Sequence, residues 1–134
     1  MVIRKIKREE LSLVRDFAPP DWSTDLEKPF GRYYDQPWFY AVIVADGRIR
    51  GYYLPDLGKG MIIADMEVAG IELLKFKITR ERSIVCIPEA NAVAMAFLVS
   101  IGYQPYLRAT RMYLGKNIVW QPGKVYARGS GALG

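Results

Sequence analysis

The dipeptide Asp46-Gly47, set between the runs FYAVIVA and RIRGYYLP, constrains this chain more than any other feature. Both runs are rich in β-branched and aromatic residues. A two-residue Asp-Gly loop closes such runs into an antiparallel hairpin, because both loop positions tolerate positive φ. A chain that holds this hairpin must build a sheet, and the sheet's apolar side chains need a second layer to cover them. Tyr52 and Tyr53 then point to opposite faces, so at most one of them can line a pocket.

Covering elements are legible on both sides of the hairpin. Val2 to Ile6 alternates apolar and basic residues as a first strand would, and Glu9 to Phe17 places Leu11, Val14 and Phe17 on one side of a helix that Pro19-Pro20 ends. The following stretch to Trp38 is aromatic and proline-broken, with too little periodicity to assign. Beyond the hairpin, Met61 to Ala64 reads as a short apolar strand. Asp65 to about Lys77 reads as a helix with Val68, Ile71, Leu74 and Ile78 on its buried face. Gly70, inside that helix, costs about 1 kcal/mol against alanine and points to a closely packed neighbour.

The stretch SIVCIPEANAVAMAFLVSIGY, Ser83 to Tyr103, reads as a strand over Ile84 to Ile87, a corner at Pro88-Glu89, and a helix from about Ala90 to a stop at Gly102. Asn91 suits the N-cap and Gly102 the left-handed C-terminal position. Pro105 to Leu114 alternates as a strand, with Ile118 to Trp120 and Val125 to Arg128 as further strand candidates. The expected fold class is α/β (α+β), a mixed and mostly antiparallel central sheet flanked by helices. One domain over residues 1–134 is expected, with an N-terminal part (1–56) of strand, helix, aromatic loop and hairpin, and a C-terminal half (57–134).

Composition removes several chemistries. There is no histidine and one cysteine, Cys86, so a histidine-based triad, a Cys/His metal site and an internal disulfide are all excluded, and no metal is expected. Cys86 itself reads as a small buried hydrophobe. No membrane-spanning run and no signal-peptide pattern occur, which makes the expected location cytoplasmic. The net charge of +5 is spread along the chain and fits a solvated basic surface. Arg108 and Arg111 read as solvated or ion-paired, and no nucleic-acid-binding module is recognisable.

With this element order, Asn91, Ala94, Phe97, Gly102 and Tyr103 resemble the Asn-x-x-Ala-x-x-Leu-Tyr-x-x-x-Gly-Phe pattern of the GNAT (GCN5-related N-acetyltransferase) superfamily. Arg111-Met112-x-x-Gly115 and Trp120-x-Pro122 … Tyr126-x-Arg128 resemble the C-terminal lobe of two-part GNAT proteins, so the chain looks like a shortened member of that kind. The resemblance implies a GNAT-like acyl-CoA N-acyltransferase fold. It also implies transfer of an acetyl group from acetyl-CoA to a small-molecule or peptide amine. On it, Met61, Ile62, Ile63 and Asn91 are the cofactor-binding candidates, and the aromatic residues Trp22, Tyr33, Tyr34 and Trp38 are candidates for the acceptor wall.

The same comparison shows departures. Where members carry a glycine-rich loop whose backbone N–H groups hold the coenzyme pyrophosphate, this chain has Ile63-Ala64-Asp65-Met66-Glu67-Val68-Ala69-Gly70. Asp65 and Glu67 also suit a helix start, as N-cap and first-turn acid. At the position of the tyrosine that protonates the departing thiolate stands Leu98, and Met61 to Ala64 lacks a general-base carboxylate. No catalytic residue is assigned. Two readings therefore stand: a divergent N-acetyltransferase with impaired cofactor binding, and a non-catalytic GNAT-like binding or interaction module, possible as a homodimer. A charge-driven anion or nucleic-acid binder is the third and weakest.

Overall fold

Asp46 and Gly47 both adopt positive φ, 54° and 73°, and close the expected two-residue hairpin with Ala45 opposite Arg48. The computed structural model describes residues 1–10, 41–55, 60–80, 84–109, 115 and 121–127. Around the hairpin strands β2 (Ala41–Ala45) and β3 (Arg48–Leu54) lie β1 (Val2–Arg4) and β4 (Met61–Ala64). A last strand, β5 (Val125–Ala127), completes a five-stranded sheet in the order β1-β2-β3-β4-β5, antiparallel at every pairing.

Two helices belong to the described fold, α1 (Glu67–Arg80) and α2 (Ala92–Ser100). α1 packs across β3, β4 and β5 and touches α2. The core between them joins Ile43, Tyr53, Ile62 and Ala64 of the sheet to Ala69, Leu73 and Leu74 of α1, Ala94 of α2 and Tyr126 of β5. The register explains this division. Val42, Tyr52 and Ile63 stand opposite one another across three strands and share the other face, where they too are buried. The fold is thus α/β in character, as the sequence predicts, but the sheet is antiparallel at every described pairing, where a mixed, mostly antiparallel one is the expectation.

Several expectations need correction. Ile84 to Ile87 is not a strand: the segment joins no ladder, Ile84 is exposed, and Val85 and Ile87 lean against the core from outside. The seat beside β4 that this segment would need is taken by β5, and Pro88 brings no N–H to a ladder. Residues 105–109 are likewise outside the sheet, with Tyr106 and Leu107 facing solvent.

The buried face of α1 is rotated from the expected one. It runs through Ala69, Gly70, Leu73, Leu74 and Lys77, while Val68 is exposed and Ile71 and Ile78 are half-buried. The phase differs because the tight contact falls on the small residues Ala69 and Gly70 and not on the largest apolar side chains. The first expected helix shows one short 3-10 turn, Arg8–Glu10, and its remainder lies outside the described residues. Among the described residues no helix is long and apolar enough to cross a membrane.

Candidate functional site at the β4 edge

The resemblance directs attention to β4 and the helix starts beside it. Met61, Ile62 and Ile63 are all buried, and β4 is a central strand, laddered to β3 on one side and to β5 on the other. Its pairing with β5 holds Ile62 opposite Ala127 and Ile63 opposite Val125, so Tyr126 is the extra residue of a bulge. A bulge re-aims the side chain of its extra residue.

The redirected Tyr126 ring lies directly on α1 at Gly70. A Cβ placed on Gly70 would come within 2.4 Å of three atoms of the ring, a separation no side chain tolerates. The glycine that weakens the helix locally is what lets the ring seat. Burial, and secondarily the nearby charge of Glu67, pushes the Tyr126 phenol above its ordinary range.

Asn91 fastens the same strand to α2. Its Oδ1 accepts from the Ala94 N–H at 3.0 Å, the expected N-cap of α2, and its Nδ2 donates to the Val125 carbonyl at 2.8 Å. A longer contact of 3.5 Å reaches the Gly123 carbonyl, at the 3-10 turn Pro122–Lys124 that leads into β5. The side-chain amide is buried and uses both ends, one on a helix and one on a strand. The cap was legible in the sequence. The strand contact was not, since it joins residues 34 apart.

The start of α1 carries acid rather than a cradle for phosphate. Asp65 precedes the helix by two residues and does not hold the cap position: its Oδ2 accepts from Arg50 at 3.3 Å, and its backbone N–H donates to the Arg50 carbonyl at 2.9 Å. Arg50 is itself the extra residue where the β2–β3 register shifts, so the bulge turns it toward Asp65. Glu67 opens the helix, where the macrodipole favours a carboxylate. Leu98 is buried. Cys86 is half-buried and free.

A lysine that sequence reasoning passed over sits in this core. Lys77 is buried on the inner stripe of α1, with Nζ 5.8 Å from the Tyr53 ring centroid, and Tyr53 meets Phe76 edge-on at 6.0 Å. Gly60, at φ +92°, leaves room for it: a Cβ there would approach Lys77 Nζ to 2.8 Å. The signal was the spacing Gly70, Leu73, Leu74, Lys77, which puts the lysine on an apolar stripe.

Ile62, Ile63 and Asn91 are thus brought together around β5, with Met61 next to Ile62 on β4 and paired to Leu54, whereas Trp22, Tyr33, Tyr34 and Trp38 lie outside the described residues, as does Arg111. Arg108 is ion-paired with Glu89 at 2.9 Å, one of the two alternatives the sequence left open. Among the described residues no three of Cys, Asp and Glu converge as metal ligands. No family model matches this chain, and no curated protein or solved structure does.

Proposed function

We propose that this chain is a non-catalytic, GNAT-like binding or interaction module. The observation that carries the reading is the occupation of the β4 edge: the flank on which the resemblance would lay the pantetheine chain of acetyl-CoA is paired to Val125–Ala127 and overlaid by Tyr126 against Gly70. Two further features support it. Asp65 and Glu67 set negative charge where a pyrophosphate would need backbone donors, and a buried Leu98 offers no proton to a thiolate.

Calorimetric titration of acetyl-CoA into the full chain tests this reading. No heat and no thermal shift are expected up to about 1 mM cofactor, the range in which a chance contact of about −4 kcal/mol would register. Micromolar binding that protects the amides of Met61, Ile62 and Ile63 would overturn it. That outcome would restore the N-acetyltransferase reading, with Asn91 and β4 on the cofactor and an amine held by the aromatic stretch from Trp22 to Trp38.

A further inference from the structure

We draw no further inference here: the strongest candidate, the exposed apolar flank of α2 that ends at Val99 and Ile101, carries nothing because nothing in the structure shows what covers it.

Discussion

Gly70 of α1 and the ring of Tyr126 in β5 occupy adjoining space so closely that a single methyl group between them has no room. Helix propensity and packing make opposite demands at this position. Alanine would gain about 1 kcal/mol in an isolated helix, whereas overpacking a filled core costs about 1–3 kcal/mol. We expect Gly70→Ala to lower stability in spite of propensity, and Gly70→Val to do so more severely. Urea unfolding of the two variants measures the order, and a stabilised Gly70→Ala would refute the contact.

Asn91 permits its two roles to be separated. Asn91→Ser keeps an oxygen for the α2 N-cap but loses the donor to Val125, and Asn91→Ala loses both. The expected costs are about 1–2 kcal/mol and about 2–4 kcal/mol respectively. Hydrogen exchange adds the location: in Asn91→Ser the amides of β5 lose protection while those of α2 retain it.

Gly60→Ala meets two obstacles, a φ of +92° and the nearness of Lys77 Nζ and the Tyr53 ring. A loss of about 1–3 kcal/mol follows from strain plus displacement of a packed side chain. Combining it with Lys77→Met, which removes the charged tip, is expected to give less than the sum of the two single costs. Strict additivity in a double-mutant cycle would show that the two residues do not interact.

Acid reaches the N-terminal tie first. Arg4 holds Glu10 through two hydrogen bonds of 2.8 Å, and Glu10 also accepts from the Lys7 N–H. The guanidinium bond, offset by burial and aided by the backbone donor, lowers the Glu10 carboxyl from 4.5 to about 2. Because the folded value is the lower one, its contribution is full above the unfolded value of 4.5 and fades as pH falls from there toward about 2. For a pair near the surface that contribution is about 1 kcal/mol. Glu10→Gln is expected to flatten the stability profile across this window, with no effect on its shape at neutral pH.

Alkali tests two of the buried tyrosines. Desolvation raises Tyr52 well above 10, and Tyr126 is raised by burial and then by Glu67. A raised folded value means stability that is complete below the unfolded value of 10 and declines as pH climbs toward the folded one. Absorbance titration of phenolate is expected to show these two tyrosines ionising only together with loss of structure, and Tyr126→Phe to lessen the alkaline loss.

What could be read in advance follows the range of the interactions. The hairpin was legible because Asp46-Gly47 acts on its immediate neighbours, and the two ends of α2 because Asn91 and Gly102 act within a turn. Gly70 announced a neighbour without naming it. The partner, Tyr126, lies 56 residues further on, in a three-residue strand too short to display a period. For the same reason Ile84 to Ile87, which has the stronger strand composition, was expected in the sheet: composition ranks the candidates, and competition for one edge of β4 decides among them. Lys77 escaped notice because its residue type argues for solvent, and only the phase of the helix argues otherwise.

The order of the strands bears on how the chain emerges during synthesis. β2, β3 and β4 are consecutive and can pair as soon as each is made, but the strand that covers β4 is more than 60 residues downstream. Until residue 127 is translated, a row of backbone donors and acceptors beside Ile62 and Ile63 remains open to any other nascent strand. The late arrival of Val125-Tyr126-Ala127 makes the interval between translation of β4 and translation of β5 a period in which this edge is exposed to mispairing.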